Sequence, residues 1–248
     1  MSNLDTDFTT ENYIKILSKY KKTHTFSFFN NSSKNDIILR HDIDFSLDDA
    51  LRIAKIENNL GIQSTYFILL HSQFYNPLSI DSSEFIRKIL KLGHQIGLHY
   101  DEMFFKSNKI DISDSIKKEI ELLEQHFNTK INAVVRHNPS ISGKKIPIKL
   151  PVGVVDAMSE QFTLNRKYIS DSVRNWRENS GHYFCSDENI YDELQILIHP
   201  VLWTDKILSR EEVLSQIMNK IKLNNENEFN NISDIWENYV KDRNEEKN

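Results

Sequence analysis

Two aspartates, Asp42 and Asp44, directly follow an apolar run in the segment IILRHDIDFS. Because side chains alternate along an extended strand, Arg40, Asp42 and Asp44 are predicted to share one face. Two carboxylates on one face repel each other unless a positive group lies near them. A divalent cation could supply that charge, and Arg40 could contribute. The alternative is a strand end with solvated carboxylates, one of which caps the next helix. We favour the chemical interpretation because Ser46 already stands at the cap position.

Three histidines also stand at the ends of apolar runs. They are His99 in GHQIGLHYDE, His137 in VVRHNPS and His199 in ILIHPVLW. Imidazole binds metal ions and titrates near neutral pH, so each could act as a ligand or as a general acid. Each also has an ordinary interpretation, His137 in a surface turn and His199 as a hydrogen-bonded core residue. In the same strand as His99, His94 is predicted to make a structural hydrogen bond, and Gly97 to mark a close approach.

These positions form one site only if the strands are parallel. Predicted strands at 37–44, 64–70, 94–100, 131–137 and 194–200 alternate with amphipathic helices at 11–20, 46–60, 82–92, 113–127 and 209–221. Alternation of this kind predicts a mainly parallel sheet, and the polar strand ends favour a barrel, where such ends converge on one face. The section from about 140 to 190 predicts short strands and long loops. We predict a single domain over 1–248 with a frayed tail at 241–248.

Composition excludes several classes of protein. A formal net charge of -5 argues against a nucleic-acid binder. No apolar run approaches the ~20 residues that span a bilayer, and the first residues lack the pattern of a signal peptide. Cys185 is the only cysteine, which is compatible with a reducing compartment. The sequence therefore predicts a cytoplasmic protein, and it does not indicate an oligomeric state.

The site residues together indicate metal-assisted hydrolysis. In that chemistry a metal ion polarises a carbonyl group and activates water. A free carboxylate then accepts the proton of the water, and a histidine protonates the leaving nitrogen. The two aspartates and the histidines at the strand ends supply groups of each kind.

In this order the residues resemble the polysaccharide deacetylases of the NodB homology type, carbohydrate esterase family 4, over roughly residues 36–203. HDID resembles the first motif of the family, LGHQIGLH its histidine strand and ILIH its last motif. The resemblance implies a distorted (β/α) barrel that removes acetyl groups from sugars with a divalent metal ion, zinc being the first choice. It also implies that Asp42 is the base and His199 the acid. Asp44 and His99 would be metal ligands.

One position departs from the family pattern. The second ligand histidine of the family lies four residues after the first, and Met103 stands there. Methionine is a poor zinc ligand beside oxygen and nitrogen donors. The third ligand must then come from elsewhere, His137 being the first choice and Asp101 the second, or the metal is lost. Arg136 in RHNPS resembles the arginine that holds the base in the family.

Further resemblance concerns the substrate. The segment SDSVRNW is similar to a motif with an aspartate and a pocket-lining tryptophan, which predicts Asp171 and Trp176 as substrate-binding residues, with Trp203 as a pocket wall. Because no export signal is visible, a small carbohydrate or nucleotide-sugar intermediate of surface-polysaccharide synthesis fits better than a polymer. Two alternatives stay open. One is a catalytically inactive, carbohydrate-binding barrel, and the other is deamination or amide transfer at the same site.

Overall fold

The structure is a computed structural model that describes residues 8–143, 146–176 and 191–245. The strands are β1 (Thr25–Phe26), β2 (Asp36–Ile43), β3 (Thr65–Ile68), β4 (Gln95–Tyr100), β5 (Ala133–Arg136), β6 (Val155–Asp156), β7 (Lys167–Ser170) and β8 (Leu194–Ile198). The helices are α1 (Thr10–Lys21), α2 (Leu47–Asn59), α3 (Ile80–Lys91), α4 (Glu102–Ser107), α5 (Ile112–Phe127), α6 (Pro139–Ser142), α7 (Glu160–Thr163) and α8 (Arg210–Glu245). Short 3-10 turns follow β7 and β8, at Ser172–Arg174 and Pro200–Leu202.

The strands form one curled sheet in the order β6-β5-β4-β3-β2-β8-β7, and every pairing in it is parallel. Strand β2 lies between β3 and β8 and is buried along its whole length. Within the described residues no pairing joins β6 to β7, so the barrel is open there. Parallel strands with helical crossovers confirm the predicted distorted (β/α) barrel.

Alternation along β2 separates two environments. Ile38 points into the barrel, where it packs with Phe67 of β3 and Val135 of β5. Ile37 and Leu39 point outward into a second cluster, beneath α1 and α2. Because apolar residues fill the barrel interior toward the amino ends of the strands, polar side chains of the inner face collect at the carboxyl ends.

Gly97 in β4 is required by the ring of Phe67. A Cβ atom at Gly97 would lie 2.5 Å from Cε1 of Phe67 and 2.9 Å from the carbonyl oxygen of Ala133. No side chain fits in that space, so the predicted close approach in this strand is confirmed, and the approaching group is an aromatic ring of the core. The structural hydrogen bond predicted for His94 is also confirmed, because its Nε2 lies 3.0 Å from the carbonyl oxygen of Ala54.

A buried carboxylate lies behind β2, on the outer face of the sheet. Glu57 of α2 is fully buried and accepts hydrogen bonds from Ser64 Oγ (2.6 Å) and Tyr66 Oη (2.8 Å). His41 Nε2 lies 2.7 Å from Glu57 Oε1. Burial alone would raise the pKa of Glu57, but His41 and the hydrogen bonds outweigh it and lower the pKa to about 2. His41 thus contacts Glu57 on the outer face of the sheet and points away from Asp42 and Asp44.

The described residues fall into two compact units, Met1–Ile207 and Leu208–Asn248. The prediction of one domain over 1–248 stays a prediction. Helix α8 continues to Glu245, so residues 241–245 of the predicted frayed tail are helical, and 246–248 lie outside the described residues. The predicted short strands between 140 and 190 are β6 and β7, and residues 177–190 lie outside the described part. None of the described helices combines the length and apolar character needed to cross a membrane.

Candidate active site

The carboxyl ends of four strands bring the predicted residues together on one rim. Asp44 follows β2, His99 lies in β4, His137 follows β5, and His199 directly follows β8. Nε2 of His99 lies 3.3 Å from Oδ1 of Asp44, and Nε2 of His199 lies 3.8 Å from Oδ2. Asp42 lies two residues before Asp44, and its Oδ2 is 3.9 Å from Nε2 of His99. Residues separated by up to 157 positions therefore line one small site.

Asp44, His99 and His137 form a group that could hold a metal ion. Each offers one ligand atom, and these atoms all lie within 4.8 Å of one another. Nδ1 of His137 lies 3.4 Å from Oδ1 of Asp44 and 3.1 Å from Nε2 of His99. His137 follows β5 and takes a place beside the other two because β4 and β5 are neighbours in the sheet.

Hydrogen bonds outside this group orient the two imidazoles. Nδ1 of His99 lies 3.2 Å from the carbonyl oxygen of Val135, so the ring N–H donates there and the lone pair of Nε2 faces Asp44. Nδ2 of Asn138 donates to Nε2 of His137 at 2.8 Å, and Nδ1 of His137 faces Asp44. A lone pair on Nδ1 would require the amide oxygen of Asn138 to face Nε2 instead. A carbonyl acceptor such as that of Val135 fixes which ring nitrogen a ligand histidine presents to a metal. Asn138 was not identified from the sequence, and adjacency to His137 is the only signal for it.

The residues fit a divalent cation. Oδ1 of Asp44 is buried and receives no well-aligned hydrogen bond from the described residues, although two imidazole nitrogens lie within 3.4 Å of it. An orphaned buried carboxylate oxygen carries a large desolvation cost unless a positive charge compensates it. One carboxylate oxygen and two imidazole nitrogens are a donor set that zinc accepts in catalytic sites.

Asp44 and His99 each shift the pKa of the other. Burial alone would raise the pKa of Asp44, but the neighbouring His137, His99 and His199 hold it well below its ordinary range. Burial would lower the pKa of His99, but Asp42 and Asp44 raise it. Protons on the imidazoles and a cation between them are alternative ways of balancing the same two carboxylates.

Asp42 is held by an arginine of its own strand. Arg40, two residues earlier on the same face of β2, donates from Nη2 to Oδ2 of Asp42 at 3.2 Å. Nη1 of Arg40 lies 3.3 Å from Oε1 of Gln195, whose amide nitrogen donates to the carbonyl oxygens of Ala157 and Phe162 at 3.1 and 2.8 Å. Gln195 thus fixes Arg40 from the inside of the barrel, and Arg40 fixes Asp42. The sequence does indicate that Arg40 shares a face with Asp42 and could contribute positive charge beside it, whereas the contact of Gln195 was not predicted.

Arg136 requires a correction. The sequence predicted that its guanidinium holds the base, but Nε of Arg136 contacts the carboxylate of Glu102. Nη2 donates to the carbonyl oxygen of Gly143 at 2.7 Å. Both Arg136 and Glu102 are buried, so they form an ion pair of their own at the end of β5. The guanidinium beside Asp42 is that of Arg40.

Asp171 fixes His199 through both of its oxygens. Nδ1 of His199 lies 2.6 Å from Oδ1, and the backbone N–H of His199 donates to Oδ2 at 2.9 Å. The indole Nε1 of Trp203 also donates to Oδ2, at 2.9 Å. Burial would lower the pKa of His199, but Asp171 and then Asp44 and Asp42 raise it to about 9. At neutral pH His199 therefore carries a proton on Nε2, the nitrogen that faces Asp44.

The predicted substrate-binding residues also require a correction. Asp171 and Trp203 have no exposed surface, and Trp176 is 6 % exposed. Trp176 stacks on Phe8 with ring centroids 5.1 Å apart, and both tryptophans belong to the core cluster outside the sheet. A substrate needs accessible surface, and these three side chains support the wall of the site from behind.

The structure also shows where Asp101, the second choice for the third ligand, and Met103 lie. Oδ1 of Asp101 accepts hydrogen bonds from the backbone N–H groups of Met103 and Phe104, at 2.9 and 3.2 Å, and so caps α4. Met103 is 40 % exposed on that helix. The group with metal-binding geometry contains His137, the first choice, and neither of these residues.

A cavity of about 10 Å³ lies between Asp42, Asp44 and His199. That volume suits about one water molecule. A water there would contact a carboxylate held by an arginine on one side and a protonated imidazole on the other.

Comparison with known proteins yields structural similarity only. No protein-family model matches the sequence, and no curated protein matches it. Among solved structures, a CE4 family pseudoenzyme of Bacillus anthracis is 15% identical, with a TM-score of 0.44 over 78% of this chain and 63% of its own. The peptidoglycan deacetylase PdaC of Bacillus subtilis is 13% identical, with a TM-score of 0.44 over 76% of this chain and 85% of its own.

The chitin deacetylase of the fungus Colletotrichum lindemuthianum is 14% identical, with a TM-score of 0.40 over 77% of this chain and 84% of its own. This chain thus spans less than two thirds of the length of the Bacillus anthracis protein. In the motif residues of its sequence and in its own curled parallel barrel, the chain resembles a divergent polysaccharide deacetylase of the CE4 family.

Proposed function

We propose that this protein is a metal-dependent hydrolase that removes an N-acyl group from a sugar. The observation that carries the proposal is the division of the two aspartates. Asp42 is paired with Arg40, whereas Asp44 faces His99 and His137. This difference in partners supports proton transfer by Asp42 and cation binding by Asp44.

Asp44, His99 and His137 would hold the cation, with zinc as the first choice for this donor set. When bound, it would polarise the acyl carbonyl and lower the pKa of water. Asp42 accepts the proton of the attacking water, because Arg40 orients its carboxylate toward the cavity. Water then adds to the acyl carbon.

His199 donates the proton that the leaving nitrogen needs when the C–N bond breaks. Its Nε2 faces the cavity because Asp171 binds Nδ1 from behind. The raised pKa of His199 keeps that proton in place at neutral pH. The products are a carboxylic acid and a free amine.

We further infer that the substrate is a small sugar or sugar-nucleotide intermediate of surface-polysaccharide synthesis, and that the protein acts in the cytoplasm. The cytoplasmic location is supported by the single cysteine of the sequence, Cys185, which is compatible with a reducing compartment.

The test is acetate release from N-acetylhexosamines and from nucleotide-linked N-acetylhexosamines, with the metal content of the purified protein measured in parallel. We expect one equivalent of metal per chain and an activity that a chelator abolishes and added zinc restores. Saturable sugar binding without acetate release would favour the inactive barrel. Release of ammonia in place of acetate would favour deamination.

A further inference from the structure

Two phenylalanines lie in contact at the mouth of the candidate site. Phe45 directly follows Asp44 and lines the cavity of about 10 Å³ beside it. Phe74 belongs to the loop between β3 and α3, and its ring centroid lies 4.8 Å from that of Phe45, with the two planes tilted by 41°. Phe45 is partly buried and Phe74 is 42% exposed. An aromatic surface therefore continues from the wall of the cavity to the solvent.

The loop that carries Phe74 is tied to the end of β2. Oγ of Ser72 donates to the carbonyl oxygen of Asp44 at 3.2 Å, and it accepts the backbone N–H of Phe74 at 3.1 Å. Oη of Tyr75 donates to the carbonyl oxygen of Ile43 at 2.7 Å. Because these bonds begin at the strand that carries Asp44, the ring of Phe74 is held at the site before any ligand arrives. A side chain fixed in this way costs little ordering when it binds.

The position of Phe74 distinguishes it from other exposed apolar residues. Single apolar side chains on a protein surface are common and need no ligand. Phe74 instead extends the aromatic wall of a cavity that also contains two carboxylates and an imidazole. Apolar and aromatic walls with a few polar groups at one end are typical of sites for small ligands.

The sugar ring of the proposed substrate fits this position, so the inference rests on the proposed function. The acyl carbonyl must lie beside Asp42 and Asp44, where water would attack it. A cavity that holds about one water molecule cannot contain a sugar, so the ring bonded to the amide nitrogen must lie at the mouth. The C–H bonds on a face of a pyranose carry a partial positive charge, which the negative face of an aromatic ring attracts.

We propose that Phe45 and Phe74 form an aromatic platform, on which the C–H face of an N-acylated hexopyranose packs while its amide points toward Asp44. The platform contacts a part of the substrate that does not react. Its contribution is therefore the same in the bound substrate and in the transition state, and it strengthens binding without changing the chemical step. An open-chain sugar has no such face and gains nothing from the platform.

Two substrates and one variant test the contact by kinetics. Methyl 2-acetamido-2-deoxy-β-glucopyranoside contains the ring, and N-acetylglucosaminitol is its open-chain counterpart. Phe74→Ala should raise KM for the glycoside by about 10-fold with kcat unchanged, because only ground-state binding is lost. The same variant should leave KM for the alditol at the wild-type value. Equal KM values for the glycoside in wild type and Phe74→Ala would overturn the proposal.

Two further variants separate the platform from general effects on the protein. Phe74→Tyr keeps the aromatic face and should retain the wild-type KM. Leu164→Ala is the matched control, because Leu164 is 74% exposed and precedes β7, at the opposite rim of the barrel, so no KM should change. If Phe74→Ala lowers kcat and metal content and leaves KM unchanged, the residue acts on Asp44 through the loop, and the platform is wrong.

Saturation-transfer difference NMR tests the contact without turnover. Asp42→Asn and the double variant with Phe74→Ala are compared, so that the methyl glycoside is not consumed. Irradiation of aromatic protons should saturate the protons on one face of the pyranose more than those on the other, and Phe74→Ala should remove that preference. Unchanged transfer in the double variant, or no transfer in either protein, would overturn the proposal. Transfer with the expected preference, but no acetate release by the wild type, would refute the hydrolysis and leave the platform standing.

Discussion

His199 and Asp171 are joined by two hydrogen bonds, one from the imidazole Nδ1 and one from the backbone N–H of the histidine. The backbone contact fixes the start of the turn that follows β8, and the ring contact fixes the imidazole on that turn. Because both bonds end on one buried carboxylate, the position and the protonation of His199 depend on the same residue.

Replacement of Asp171 therefore tests the proposed role of His199 as the acid without altering His199 itself. Asp171→Asn keeps the shape but removes the charge that raises the pKa of His199. We expect metal content to stay at the wild-type level and turnover to fall by about 10²- to 10⁴-fold. Because the active form is protonated and its pKa becomes lower, the alkaline limb of the pH–rate profile should move to lower pH.

Trp203→Phe is the control for this change, because it removes one donor to Asp171 and leaves the carboxylate charged. The alkaline limb of the pH–rate profile of Trp203→Phe should stay at the wild-type pH. A shift of equal size in both variants would mean that packing around the turn, and not the charge of Asp171, sets the proton affinity of His199.

His199→Ala removes the proposed acid itself. Turnover should fall by about 10²- to 10⁴-fold with unchanged metal content, because Asp44, His99 and His137 are all retained. Loss of the metal from this variant would instead identify His199 as a ligand.

The two aspartates of β2 should differ in what their replacement removes. Asp42→Asn should retain the metal and abolish hydrolysis, because an amide cannot accept the proton of water. Asp44→Asn should lose most of the metal together with activity, because it removes the only carboxylate of the metal-binding group. Metal analysis with and without chelator distinguishes the two, and equal metal content in wild type and both variants would refute the metal assignment.

Arg40 and Arg136 provide a direct comparison between the structure and the family pattern. Arg40→Met should lower turnover by about 10²-fold with the metal retained, because Asp42 loses the group that orients it. Arg136→Met breaks the ion pair with Glu102 and should lower the melting temperature, but it should leave turnover by the folded protein nearly unchanged. The opposite result would restore Arg136 as the residue that holds the base.

The parts of the site that were predictable are those set by strand direction. Asp44, His99, His137 and His199 each end an apolar run, and parallel strands must bring such ends together. The metal-binding group with His137 follows from the same rule. The barrel itself was predictable for a related reason, since strand and helix periodicities alternate along most of the chain.

Contacts between distant segments were not predictable. The contact between Asp171 and His199 spans 28 positions and depends on the pairing of β7 with β8, whose order no local pattern reveals. Trp176 and Trp203 were predicted to line the pocket because each lies near a motif. Sequence position near a motif does not show which side of the sheet an aromatic side chain occupies, and both pack outside the sheet. Glu57 did leave a signal, because it continues the buried stripe of α2 three residues after Ala54.

Glu57 gives the last prediction, which concerns stability. Its pKa is about 2 in the folded protein and about 4.5 in the unfolded chain, so the folded state favours the charged form. The resulting stabilisation is complete above about pH 5 and is lost as pH falls through 4.5 toward 2. The melting temperature of the wild type should therefore fall steeply across this window.

Glu57→Gln removes this dependence and leaves His41 without its partner. The variant should melt about 10 °C lower than the wild type at pH 7, because Ser64, Tyr66 and His41 lose a buried carboxylate as their partner. Between pH 5 and 2 its melting temperature should change less than that of the wild type, so the two curves converge. Glu121→Gln is the control, since that carboxylate is exposed and its curve should follow the wild type. Parallel curves for wild type and Glu57→Gln would show that the acid sensitivity arises from other carboxylates.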